Sequence, residues 1–447
     1  MAFTPQALLQ ILGQYPDCQR YLIAYSGGAD SHVLLHALSH VRTSLNAEVL
    51  ALHVDHQLQA QSAQWAQHCV ATCVALDIPC QVMPVEVALD SGKGLEAAAR
   101  KARYQVLAHI MRPGDGLLTA HHQDDQAETL LIQLLRGAGP KGLAAMAAVR
   151  EFSCGHILRP LLDYRREELE IYARSAGIQW VDDPSNTDEA FDRNYLRHRI
   201  LPSLQQRWPA LTQTLGRAAR HQAEADQLLR ELAELDMASH VQDGALSMRA
   251  LQGLSRIRQK NLLRQWIDSQ HYPLPAESRL QSILSDLIPA AEDAAPVVCW
   301  NNVELRRYRS SLYLMPALGK HHPESSFLWD GEFTYIADGE MSLDSQHVPA
   351  GGLRDSLFTE HKLEIRFRQG GEQCRPAGRG NTKDLKKLLQ EAAIAPWLRQ
   401  RLPLIYVDNE LAAVVGVCIC EGFAAGEGET GREVMWKWRK KSSDSEK

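Results

Sequence analysis

"LIAYSGGADSHVLLHAL", residues 22–38, joins a short apolar run to a leucine-rich segment of helical period through Ser-Gly-Gly-Ala-Asp-Ser. The apolar run predicts a buried strand and the leucines predict a helix that starts at the glycines. A strand–turn–helix join of this kind gathers backbone N–H groups on one point and can hold an anion there. Gly27 and Gly28 permit close backbone approach, and the Ser26 and Ser31 hydroxyls add donors. The stretch is not a Walker P-loop, because the Gly-Lys-Ser/Thr ending is absent.

Outward from this turn, strand-like and helix-like segments alternate. "AEVLALHVDH" (47–56), "PCQVMPVEV" (79–87) and "DGLLTAHH" (115–122) read as strands. "SAQWAQHCVATCVALD" (62–77), "GLEAAARKARYQVLAHIM" (94–111) and "DDQAETLLIQLLRG" (124–137) read as helices. The alternation predicts a parallel sheet covered on both faces, with its sites beyond the carboxyl ends of the strands. Tyr25-Ser26, Asp55-His56 and His121-His122 would then converge. After about residue 200 helical periodicity takes over, and short extended pieces follow between about 292 and 350. The expected architecture is α/β: a parallel-sheet domain (1–215), a mainly helical middle domain (216–350), a small basic α+β domain (351–440) and a disordered tail (441–447).

The N-terminus lacks the basic start and apolar run of a signal peptide, and no stretch approaches the ~20 apolar residues of a membrane helix. A cytoplasmic protein is expected, with no membrane partner. The nine cysteines form no disulfide framework and no Cys-x-x-Cys pair, so neither a redox pair nor a structural zinc is indicated and a reducing compartment is expected. The net charge is −6, yet residues 361–401 carry ten basic and four acidic side chains, a local +6. That asymmetry suits a polyanion-binding lobe on an otherwise acidic protein.

In "HHQDDQAETLLIQLLRGAG" (121–139), His121, Asp125 and Glu128 fall on one helical stripe. Paired acids at that place can hold an ammonium group, ligate Mg²⁺ or take a proton. They also suit the positive end of a helix.

Residues 26–31 resemble the SGGxDS pyrophosphate loop of the N-type ATP pyrophosphatases, the PP-loop superfamily. "HHQDDQAET…RGAG" resembles the corresponding segment of tRNA(Ile)-lysidine synthetases, as do "DDPSNTDEAFDRNYLRHRILP" (182–202) and the stretch from "RQGGEQCRPAGRG" (368–380) to about residue 414. The matches run in order and reach both ends of the chain; residues 215 to 350 match only in helical character. The resemblance implies a PP-loop catalytic domain that uses ATP and Mg²⁺ to adenylate O2 of the wobble cytidine in a CAU-anticodon isoleucine tRNA. Free lysine then displaces AMP to give lysidine.

Carried over residue by residue, Ser26, Gly27, Gly28, Ala29, Asp30 and Ser31 hold ATP phosphates, with Asp30 also a catalytic residue and the Mg²⁺ ligand. His53, Asp55 and His56 lie near the nucleotide. Asp125 and Glu128 grip lysine and one of them takes its proton, with His121 alongside. Arg100 and Arg103, three apart on a helix, neutralise phosphate or the lysine carboxylate. Arg193, Arg197 and Arg199 contact tRNA phosphates near the site, and Arg366, Arg375, Arg379, Lys383, Lys386 and Lys387 position the acceptor-stem end. The nearest rival is a PP-loop tRNA thiolase, against which the missing cysteine pair argues. Oligomeric state is open, a homodimer being one arrangement.

Overall fold

The computed structural model describes residues 2–57, 61–87, 95–181, 187–238, 240–242, 244–291, 294–336 and 341–438. The expected disordered tail and the opening of the 182–202 motif lie outside them. The chain forms two compact units, Met1–Leu232 and Ala233–Lys447.

In the first unit, α1 (Pro5–Leu12) is followed by β1 (Arg20–Ala24), α2 (Ala29–Val41), β2 (Glu48–Asp55), α3 (Ser62–Ala75) and β3 (Cys80–Pro84). Then come α4 (Leu95–Ile110), β4 (Asp115–Leu118), α5 (Gln123–Leu135), α6 (Pro140–Leu143), β5 (Val149–Phe152), β6 (Gly155–Leu158) and α7 (Arg166–Ser175). The strand order is β3-β2-β1-β4-β6-β5, with only the edge strand β5 antiparallel. Ile23, Leu118 and Leu158 pack with Leu34, Leu35 and Leu38 of α2 on one face. Leu22, Leu117 and Ile157 pack with Leu107 of α4 on the other. Both faces are covered, which is why β1 reads as an unbroken apolar run and not an alternating one.

The hairpin β5–β6 was not foreseen. Its strands are four residues each, and Ser153 turns them with φ +53°. A Cβ on Gly155 would run into the Asp115 carbonyl, so glycine lets β6 lie tight against β4.

The unit ends in α8 (Asp192–Tyr195), a π-helical turn at Leu196–Ile200, α9 (Leu201–Arg207) and α10 (Leu211–Met237), which crosses into the second unit. There, helices at Arg256–Ser269 and Glu277–Ser282 pack around a fully buried Trp266, with antiparallel strands from Val297 onward. Further on, Leu404–Val407 and Glu410–Val414 form a hairpin, turned at Asp408 and Asn409 with φ +47° and +72°. Both central residues are left-handed, as a tight two-residue hairpin turn requires.

Cys374 and Cys420 meet with their Cα atoms 5.9 Å apart, and Cys418 Sγ lies 3.7 Å from Cys374 Sγ. The first two are 46 residues apart in sequence and meet through the isolated bridge of Pro376 with Cys420, so spacing alone did not reveal them. Among the described residues no helix is long and apolar enough to cross a membrane.

Candidate active site at the carboxyl edge of the sheet

Three strand ends meet here: β1 runs into Tyr25-Ser26, β2 ends at Asp55, and β4 runs into Thr119–His122. Gly28 is the N-cap of α2, and Gly27 has φ +85°. A Cβ on Gly27 would approach Cys69 Sγ to 2.8 Å, so both the backbone and the packing beneath the turn require glycine. Ser31 Oγ donates to the Gly28 carbonyl (2.9 Å), receives the Ser26 N–H (3.3 Å) and lies 3.1 Å from Ser26 Oγ. The turn is thus braced by its own hydroxyls, with Ala29 and Asp30 opening the helix behind it. Val181 N–H donates to the Gly27 carbonyl at 3.1 Å, tying the turn to a distant segment.

Asp30 Oδ2 is 3.5 Å from His122 Nε2, while Asp30 Oδ1 is buried without a hydrogen-bond partner. A buried carboxylate oxygen left unpartnered beside a phosphate-shaped turn fits a divalent cation that takes its remaining ligands from phosphate and water.

The adjacent histidines differ in charge. Burial depresses His121 to about 3, and it stays neutral with Nδ1 2.9 Å from Thr119 Oγ1. Burial also works against His122, but Asp125, a hydrogen bond to Asp30 and the charge of Asp124 together raise it to about 9. At neutral pH His122 is an imidazolium among three carboxylates. Burial would raise the Asp125 carboxyl, yet His122, Arg193 and Arg197 hold it well below the usual carboxylate range. Asp125 Oδ2 accepts the His122 backbone N–H at 3.0 Å, capping α5.

Glu128, one turn further along α5, is 0% exposed. Arg197 Nε and Nη2 reach its two oxygens at 2.6 and 3.0 Å, and Arg193 Nε donates at 2.8 Å. Arg197 Nη2 also bonds Asp125 Oδ1 at 3.1 Å, and Arg193 Nη2 bonds Thr129 Oγ1 at 3.1 Å. The two arginines are four residues apart, in α8 and the π-helical turn that follows, and both face the start of α5.

The other expected residues are placed as follows. His53 is buried, its Nδ1 3.0 Å from the Tyr25 carbonyl, where it pins β2 to the loop after β1. Asp55 accepts the Gln57 N–H. Arg103 Nε lies 3.3 Å from His56 Nε2, and the Arg100 guanidinium sits 5.0 Å over the Tyr104 ring. Arg199 pairs with Glu189 at 2.9 Å. In the second unit Arg366 hydrogen-bonds Glu364 and stands 4.5 Å over the Tyr406 ring. Arg375 pairs with Glu421, and Lys383 lies 2.8 Å from Glu391. Arg379 lines a groove of about 910 Å³ with Glu391 and Arg432. Lys386 and Lys387 are exposed on the helix Leu385–Glu391. The sequence places His122 at the converging edge without a role of its own, and it leaves Arg159 unmarked. The paired histidine letters were the available signal for the first; the second follows a strand that was not recognised.

A glycine turn at the head of a parallel sheet, with acids converging beyond it, defines an ATP-using PP-loop domain, and residues 4–204 match the PP-loop domain family. Residues 246–313 match the TilS substrate binding domain, and residues 363–436 the TilS substrate C-terminal domain. A relative from Coxiella burnetii, named tRNA(Ile)-lysidine synthase, is 43% identical over 437 residues, covering 98% of this chain and 96% of its own. One of the same name from Alkalilimnicola ehrlichii is 42% identical over 426 residues, covering 95% and 96%. The chain belongs to the tRNA(Ile)-lysidine synthase family. A solved U34-tRNA thiolase from Methanococcus maripaludis, at 16% identity, covers 49% of this chain and 77% of its own with a TM-score of 0.43, too slight a likeness to bear on the reaction.

Proposed function

We propose that the protein ligates free lysine to the wobble cytidine of the CAU-anticodon isoleucine tRNA. The supporting observation is that His122 Nε2 stands 3.5 Å from Asp30 Oδ2 and 3.6 Å from Asp125 Oδ2, which brings the acids at the start of α5 to the helix opened by the Gly27–Gly28 turn, in a chain of this family. Cytosine O2 attacks the α-phosphate of ATP and pyrophosphate leaves. The ε-amine of lysine then attacks C2, a C–N bond forms, the C2–O bond breaks with AMP departing, and the amine gives up its proton to the Asp125 carboxylate. Only about one lysine in 2,500 is unprotonated at neutral pH, so position and adenylation carry the rate.

Residues 26–31 hold the phosphates in this reading, and Mg²⁺ at Asp30 would screen their charge. Asp125 attracts the lysine ammonium. Glu128, enclosed by two guanidiniums, acts as a positioning residue that orients Arg193 and Arg197. Those arginines, with Arg199, are the cations that tRNA phosphates would draw on near the site. The division at about residues 215 and 350 separates catalysis, a middle domain and a basic tRNA-docking domain. All three substrates are available in the cytoplasm, where we place the protein.

Lys386→Glu with Lys387→Glu should weaken tRNA binding and reduce the slope of log Kd against log salt by roughly one to two. Filter binding across a salt series measures this, and an unchanged slope would remove this helix from the tRNA surface. The reaction itself is tested with ATP, Mg²⁺, labelled lysine and the CAU-bearing transcript, beside a transcript with U for the wobble C. Label should enter only the first. AMP release without label would require another nucleophile.

A further inference from the structure

Arg159 follows β6 directly and is 4% exposed. One nitrogen, Nη1, donates to the Ala147 carbonyl at 2.6 Å, while Nε is buried with no hydrogen-bond partner. Its side chain meets the Tyr104 hydroxyl, and its charged neighbours Arg100 and Arg150 are themselves cations. β6 pairs with β4 up to Leu158 and Leu118, so Arg159 follows the strand next to the one that leads to His121 and α5, and its charge adds to burial in depressing His121. Among the described residues no carboxylate lies within ion-pair distance of it. A buried guanidinium with an unsatisfied donor and only cations around it is costly until an anion arrives.

The order of the sheet indicates which anion. Along the carboxyl edge, β1 leads to the phosphate turn, β4 to Asp125 and β6 to Arg159. Neighbouring strands are about 5 Å apart. Phosphates, amine and guanidinium therefore lie in sequence, with Arg159 on the side of Asp125 remote from the ATP turn. The side chain of lysine is long enough to cover one such step.

We propose that Arg159 receives the α-carboxylate of lysine and is the residue by which the site refuses diamines that lack one. The inference rests on the reading of the site as a lysine site. A planar fork with an unfilled donor suits a carboxylate, and a ligand without one would leave the buried cation unpaired.

The test compares lysidine-type product formation from L-lysine, lysinamide and cadaverine by the unaltered protein, Arg159→Gln and Arg159→Lys. The unaltered protein should prefer lysine to either analogue by at least about 100-fold in kcat/KM. Arg159→Gln should raise the KM for lysine at least about tenfold and collapse that preference, with the KM for ATP within about twofold, and Arg159→Lys should recover part of it. A raised KM for ATP with the lysine preference intact would assign Arg159 to phosphate and overturn the proposal. Should neither variant fold, equal use of lysine and lysinamide by the unaltered protein overturns it alone. No transfer of lysine by the unaltered protein would instead bring down the underlying reading of the site.

Discussion

Glu128→Ala is expected to destabilise the Met1–Leu232 unit by about 3–5 kcal/mol and to abolish lysine transfer. The substitution removes the carboxylate that Arg193 Nε touches and the fork partner of Arg197, leaving two largely buried cations to share Asp125 Oδ1, which Arg197 Nη2 already bonds. For a unit of this size the melting temperature should fall by on the order of 10 °C. Scanning calorimetry of the full chain reads this directly. Adding Arg193→Met and Arg197→Met to Glu128→Ala should return part of the lost stability, because the unpaired charges go with the side chains, while transfer stays absent. A loss under about 1 kcal/mol would make the cluster a hydrated surface pairing and withdraw Glu128 from the positioning role.

Gly27→Ala should lower kcat/KM for ATP by about 100-fold, since small displacements of a positioning element are that costly to a bound reaction. Two terms act together. An L-residue at φ +85° is strained by about 1–2 kcal/mol, and its Cβ would stand 2.8 Å from Cys69 Sγ. Cys69→Ala removes the second term only, so Gly27→Ala/Cys69→Ala should recover part of the loss. Binding of tRNA should hold in both. Full ATP turnover in Gly27→Ala would mean that the phosphates sit elsewhere.

What the sequence disclosed and what it withheld divide along physical lines. Segments with a strong period were readable: the apolar run of β1 and the leucines of α2 lie where the letters placed them. β6, "GHIL", has neither length nor alternation, so Arg159 at its end could not be placed on the sheet edge. His121 and His122 are the same letter twice; only burial and the surrounding charges make one neutral and one cationic. Arg193 and Arg197 read from the sequence as tRNA-phosphate contacts near the site. Their engagement of Glu128 spans 65 and 69 residues, a separation across which one sequence carries no pairing signal.

The two guanidiniums on Glu128 and Asp125 amount to a resident counter-ion, supplied by the chain itself where the proposed reaction would place the lysine ammonium. If lysine binds at Asp125 as proposed, it would compete with Arg197, and part of its binding free energy would be cancelled by the contact it displaces. RNA phosphates that drew the arginines outward would remove that competition. Because such coupling is reciprocal, each substrate then tightens the other by the same factor. Lysine held loosely before RNA arrives and firmly afterwards is a form of cooperativity that needs no second conformation of the sheet, only an exchange of salt partners.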